Sequence, residues 1–340
     1  MSRFGQFARG LGRYIPAEVA RPLGRPAAVF FHGVEAVTLD ARLQVNHHET
    51  DAFAAIARDL KKNFDVLPLA AVDEVLKRPD RHPRAVFLMS DDGYANTLTV
   101  AADILEELGL PWTLFASTHH IETGERNPIF LAQLFVYHAP AGRYAIPHFA
   151  EPVVLGNDRN TIAEQTVWHL RGLDMVRAQE AVDGMAACFD PAVLRDLLET
   201  FSSETFLSWD ALRALARRGV EIGAHADRHW PMNDAQSPAM LRAQAAVPKM
   251  HLEREVGPCR YFAYPFGNIG DISRDAWQAV REAGYDCAFT TLSGTLDAQA
   301  NRFLLPRYGL GPRAPHLTTL ISMLRAGNPR VKRFQKELAD

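Results

Sequence analysis

Two histidines four positions apart, His225 and His229 in His-Ala-Asp-Arg-His, and two adjacent carboxylates, Asp91 and Asp92, are the residues of this chain best suited to chemistry. Their spacing lets one helical turn or a tight loop aim both imidazoles at a single ion. Two neutral imidazoles and one carboxylate form a three-ligand set that leaves coordination positions open for water. A divalent ion held in this way lowers the pKa of its water and polarises a carbonyl oxygen. The two acids can then divide the work, one holding the metal and the other taking a proton from the water. Each cluster also has a plainer explanation. Histidine pairs at this spacing arise by chance, Asp91-Asp92-Gly93 could cap the helix that follows, and Tyr264-Pro265-Phe266-Gly267 could be only a turn.

Placement favours the chemical reading. Short apolar runs alternate with amphipathic segments from Val29 almost to the C-terminus. Val29 to Phe31 reads as a strand ending at His32-Gly33, and Val86 to Met89 as one ending at Ser90-Asp91-Asp92-Gly93. Further strands are expected at Trp112 to Ala116, Val220 to Ala224 (ending at His225), Phe262 to Tyr264 and near Cys287 to Thr290. Helical periodicity runs through residues 51 to 62, and through Leu98, Ala101, Ala102, Leu105 and Leu108 up to Gly109. It returns through Trp209, Leu212 and Leu215 up to Gly219, and around Ala276, Trp277 and Val280 up to Gly284. Strands alternating with helices imply a parallel sheet, and this many units favour closure into a barrel. In such barrels the C-terminal strand ends form the active-site face. All three polar clusters fall there.

Phe87-Leu88-Met89-Ser90-Asp91-Asp92-Gly93-Tyr94 resembles the first motif of the NodB-homology polysaccharide deacetylases, carbohydrate esterase family 4. Glu221 through His229 resembles their second motif, Phe262 through Gly267 their third, and Leu305-Pro306-Arg307 an ending common in bacterial members. The likeness spans about residues 27 to 310, excluding an insertion at 119–204, with the motifs in family order. The resemblance implies a distorted (β/α) barrel and hydrolysis of N-acetyl groups on the amino sugars of a polysaccharide or glycan precursor. It makes Asp91 the general base and Asp92, His225 and His229 the ligands of a divalent metal, with Zn2+ the default for imidazole and carboxylate donors. It also points to the backbone N–H of Tyr94 or a neighbour as an oxyanion donor, and to Tyr94, Tyr264, Pro265 and Phe266 as substrate contacts.

Three departures from the family pattern matter. Ala263 stands where many relatives carry an arginine that orients the base, so Arg307 or Arg260 is the expected substitute. Ala226 replaces a hydroxyl residue after the first ligand histidine. No closing Leu-x-His supplies the acid; His32, at the end of the first strand, is the candidate acid or substrate contact, and His316 a weaker one. His47, His48, His119 and His120 are read as solvated pairs in loops, and Trp112, Trp209 and Trp277 as core.

The chain divides into an N-terminal segment (1–26), a first barrel part (27–118), a mostly helical insertion (119–204), a second barrel part (205–312) and a helical tail (313–340). A net charge of −3 offers no broad basic field and argues against nucleic acid as a partner. Three scattered cysteines form neither a disulfide framework nor a thiolate zinc site. No transmembrane segment or signal peptide is expected, which points to a cytoplasmic location. Phe4, Phe7, Leu11 and Tyr14 recur at helical spacing between Arg3, Arg9 and Arg13, so this helix could rest on the inner membrane surface or simply dock on the barrel. Two rival readings keep the fold: a glycan-binding protein without catalysis, and an amidase acting on a small amide.

Overall fold

Runs of consecutive apolar residues become strands buried on both faces, as parallel strands covered by helices must be. The barrel wall consists of β1 (Ala27–Phe31), β2 (Ala85–Ser90), β3 (Thr113–Ala116), β4 (Glu221–Ala224), β5 (Tyr261–Ala263), β6 (Cys287–Phe289) and β7 (Tyr308–Gly309). The computed structural model describes residues 25–312 and 329–339. β1 to β6 lie side by side in chain order, β7 pairs with the other side of β1, and the short strand Asp65–Val66 pairs with the start of β2, every pair parallel. Tyr308 pairs with Val29 of β1, while Leu305 just before it bridges to Phe289 of β6. The two edges of the curled sheet therefore meet through this last segment. This is the distorted (β/α) barrel that the alternating pattern and the family resemblance imply.

Side chains alternate across the wall. Phe30, Phe87, Met89, Phe115, Tyr261 and Phe289 fill the barrel interior, closed off by Leu69, Val72 and Val75. Val29, Phe31, Leu88, Leu114, Ile222 and Phe262 instead face the surrounding helices. Among those helices, Thr50–Asn63, Trp209–Arg217 and Arg274–Glu282 follow the expected periodicity, and Ala102–Glu107 begins with a π-helical turn, Thr97–Ala101. The long helix Pro238–Glu255 is not evident from the sequence, because Pro248 lies inside it. Proline removes a backbone donor there. Burial of Leu241, Ala245, Pro248 and Leu252 holds the helix nonetheless.

Residues 119–204 carry the helices Pro128–His138, Arg159–Arg171, Met175–Ala186 and Pro191–Thr200 around a core of their own that includes Phe135, Val182 and Met185. Within this mostly helical insertion the stretch from Ala139 to Asn157 contains an antiparallel hairpin, Gly142–Tyr144 with Val153–Leu155. The end of the insertion is stitched to the loop after β2: Ala95 N donates to Thr205 O at 2.8 Å and Leu207 N to Gly93 O at 2.8 Å. Among the described residues no helix is long and apolar enough to cross a membrane. The segment through Phe4 and Tyr14, where a helix is expected, and His316 lie outside the described residues.

Candidate active site

Four loops at the C-terminal ends of β1, β2, β4 and β5 supply the walls of a pocket of about 280 Å³. His32, Asp91, Asp92, Tyr94, His225, His229 and Phe266 line it, together with Asn127 and Glu204 from the insertion. The backbone at this place is unusual. Asp92 (φ 73°), Ala226 (φ 56°), His229 (φ 51°) and Phe266 (φ 59°) all occupy the left-handed region that non-glycine residues avoid. Such conformations cost on the order of 1–3 kcal/mol each and persist where surrounding structure over-determines them, as at functional sites. Gly267 is required for a related reason. A Cβ there would stand 2.9 Å from both Thr291 N and Tyr264 O.

Asp92, His225 and His229 converge. His225 Nε2 and His229 Nε2 lie 3.2 and 3.0 Å from Asp92 Oδ1, and all three side chains are buried. Oδ1 nevertheless has no aligned hydrogen-bond donor. Three ligand atoms that crowd together without bonding one another suit a cation between them, and this donor set fits a divalent metal. His225 Nδ1 sits 2.8 Å from Ala263 O, to which it donates, so the lone pair of Nε2 faces the cluster. Burial alone would raise the Asp92 carboxyl, but the charges of His229 and His32 hold it well below the usual carboxylate range.

Asp91 is held differently. Arg307 Nη1 and Nη2 each donate to one of its oxygens at 2.7 Å, a bidentate fork with both partners buried. Arg307 Nε donates to Thr290 O at 3.0 Å, and the guanidinium lies 4.2 Å from the Phe30 ring and 5.7 Å from the Phe115 ring, over the barrel interior. Burial works against ionisation of Asp91, but Arg307 and His225 outweigh it and lower its pKa. Arg307 thus takes the place left by Ala263. Arg260, the other expected substitute, pairs with Asp286 at the surface. His32 lines the pocket edge-on to Phe30; burial lowers its pKa against the pull of Asp92 and Asp91.

Two expected substrate contacts are placed elsewhere. Tyr264 shares the outward face of its strand with Phe262, ring centroids 5.1 Å apart, and is packed against the helices. An i, i+2 relation puts both on one side of the sheet, so neither Tyr264 nor the following Pro265 lines the pocket. Phe266 does, 5.3 Å from the His229 ring.

Three of the four histidines read as solvated are buried. His48 Nε2 is 2.5 Å from Leu310 O, and His120 stacks on Phe206 at 4.6 Å, its pKa lowered to about 3 by burial. His47 lies under the Tyr94 ring (4.8 Å), between Glu35 Oε1 at 2.6 Å and Glu204 Oε1 at 3.3 Å. Only His119 stays near the surface, paired with Glu125 at 2.8 Å.

The Glu35–His47–Glu204 group is a second polar cluster beside the first, and sequence reasoning missed it. Gly33 admits it, since a Cβ there would meet the His47 ring at 2.4 Å. Burial pushes the Glu204 carboxyl up to about 7. Burial lowers His47, but the hydrogen bond to Glu35 and the charge of Glu204 more than reverse this, so its pKa is raised. Both groups hold protons more tightly folded than unfolded. Their contributions to stability therefore weaken as pH rises, for Glu204 between its unfolded value of 4.5 and about 7. In metal-free protein, Glu204→Gln is expected to match wild type at about pH 4, below the unfolded value, and to exceed it at about pH 8 by on the order of 1–3 kcal/mol. Denaturant midpoints at the two pH values measure this; an equal difference at both would contradict it.

The family model described as Polysaccharide deacetylase matches residues 78–288. Among solved structures, the Streptococcus pyogenes deacetylase PplD in complex with acetate is similar, with 15% identity, a TM-score of 0.58, and coverage of 88% of this chain and 98% of that one. A de-N-acetylase from Aggregatibacter actinomycetemcomitans gives 16% identity, a TM-score of 0.54, and coverage of 88% and 99%. IcaB from Ammonifex degensii gives 14% identity, a TM-score of 0.52, and coverage of 89% and 98%. At such identities these likenesses speak to the fold. No curated protein sequence matches this chain significantly.

Proposed function

This chain belongs to the polysaccharide deacetylase family, and from that premise we propose that it hydrolyses N-acetyl groups on the amino sugars of a glycan, using a divalent cation held by Asp92, His225 and His229. The observation that carries the reading is the pairing of two different carboxylates side by side. Asp92 Oδ1 meets two imidazoles with no hydrogen-bond donor of its own, while Asp91 is held off the cluster by the Arg307 fork.

Asp92, His225 and His229 would hold a divalent ion, Zn2+ by the character of the donors, which would supply Lewis acidity to the acetyl carbonyl and to the attacking water. Asp91 takes the proton of that water. The arginine fork fixes its orientation and keeps it ionised. The backbone N–H of Tyr94 follows the Asp91-Asp92-Gly93 turn and is not used in the two bonds that stitch this turn to the insertion, so it is the donor for the developing oxyanion. His32, on the pocket wall, relays a proton to the departing amine; with its pKa lowered by burial it takes that proton up during turnover rather than holding it at rest. Phe266 and Tyr94 bound the space for the sugar. The acetate held by the Streptococcus pyogenes relative is the acid product of such a reaction. A cytoplasmic place of action, on a precursor near the inner membrane, belongs to this proposal.

Metal analysis of the purified protein, coupled to an acetate-release screen over N-acetylated oligosaccharides, tests the reading. About one divalent ion per chain and acetate release lost on chelation are expected. Ammonia in place of acetate would point to an amidase. Metal-free protein that binds glycan with undiminished affinity would point to a binder.

A further inference from the structure

The pocket does not end at the metal ligands. Val45 and Gln133 line it and also line a second depression of about 580 Å³, roughly twice the size, which runs out over the insertion. Its floor and walls are built from planar groups. Trp168, on the helix Arg159–Arg171, is 70% exposed. Arg171 stands 5.2 Å from the Trp168 ring and 4.8 Å from the ring of Phe266 at the pocket lip, so one guanidinium joins the two spaces. On the other side Arg42 lies 4.6 Å from the Tyr137 ring.

The cations in this groove are already matched. Arg42 donates to both oxygens of Asp40, at 3.0 and 2.6 Å, and Arg171 pairs with Asp271. The exposed indole of Trp168 offers a flat aromatic face, and such faces suit ligands with a C–H-rich face. A phosphate or acidic ligand would need unpaired cations, which these two are not. A neutral sugar ring needs an aromatic face and hydrogen-bonding groups at its edge, which Trp168, Tyr137 and Gln133 provide.

We propose that this groove, built by the insertion together with the loop carrying Arg42 and Val45, is a subsite for the uncharged sugar units next to the one that reacts, with Trp168 as its stacking platform. The inference rests on the deacetylase reading and extends it, since it gives the units beside the reacting one a place on the insertion and a named platform, Trp168.

The test compares metal-loaded wild type, Trp168→Ala and Trp168→Phe on β-linked N-acetylglucosamine oligomers of one to six units, following both acetate release and quenching of tryptophan fluorescence. In wild type, kcat/KM is expected to rise with length. Trp168→Ala should lose about tenfold on the long oligomers and little on the shortest one turned over, and Trp168→Phe should recover most of the loss. No loss, or an equal loss at every length, would overturn the subsite. Intact length dependence with loss of binding to phosphatidylglycerol vesicles would overturn it in favour of a membrane face, to which the nearby exposed Val37 and Leu39 would contribute. Wild type that releases no acetate yet binds longer oligomers more tightly, through Trp168, would retire hydrolysis and keep the groove.

Discussion

Asp91→Asn is expected to lower turnover of an N-acetylated oligosaccharide by about 10²- to 10⁴-fold, the range found for removal of a positioned general base. The metal should stay, because Asp92, His225 and His229 form their cluster without Asp91. KM should change little. The neutral amide offers Arg307 one acceptor in place of two, so a stability loss of about 1–3 kcal/mol should accompany the kinetic effect. Circular dichroism and a metal assay on the same sample separate the two. His225→Ala is the complementary case: it removes a ligand, and both bound metal and turnover should go. The difference between the variants carries the assignment of roles. If Asp91→Asn keeps turnover within about tenfold of wild type while holding its metal, proton abstraction belongs to another residue.

The polar clusters were legible because their flanks were. Six consecutive buried residues in β2 leave little doubt where the strand lies, and a strand that ends at Ser90 puts Asp91 and Asp92 at the rim. The same holds for Ala224 before His225. Arg307 was reachable only through the family resemblance, since its contact with Asp91 spans 216 positions and β7 is two residues long. Glu204 carries no local signal at all. It reaches the pocket because the residues after it pair with Gly93 and Ala95, and pairing between segments so distant leaves no periodic trace. His47 and His48 looked solvated because a histidine pair between weak elements is usually exposed. A two-residue parallel pairing, Val34–Glu35 with His48–Glu49, folds them inward. Tyr264 was read as a substrate contact although the expected strand Phe262 to Tyr264 already puts it, by alternation, on the outward face with Phe262.

The same dependence on one distant partner makes Arg307 the most sensitive structural position at the site. Arg307→Leu would leave the Asp91 carboxylate buried with no guanidinium opposite it, and breaking a buried pair from one side costs about 3–5 kcal/mol. The sign with pH follows. Arg307 is what outweighs burial and lowers the Asp91 pKa, so the pair contributes stability above the unfolded carboxyl value and loses it as pH falls through the folded one. The leucine variant should therefore be most impaired at neutral pH and less so in acid, where Asp91 takes up a proton. Leucine itself fits the place, since the guanidinium lies between Phe30 and Phe115. The double variant Asp91→Asn with Arg307→Leu removes both charges from an apolar setting and should recover much of the stability lost by Arg307→Leu alone. Its turnover should remain as low as that of Asp91→Asn. Arg307→Lys should fall between, because a point charge supplies neither the fork nor the stacking. Urea midpoints of the four proteins, closed into a cycle, give the coupling directly. A double variant no more stable than Arg307→Leu would mean that the fork holds the fold through Thr290 and the aromatic rings, and that Asp91 is oriented by something else.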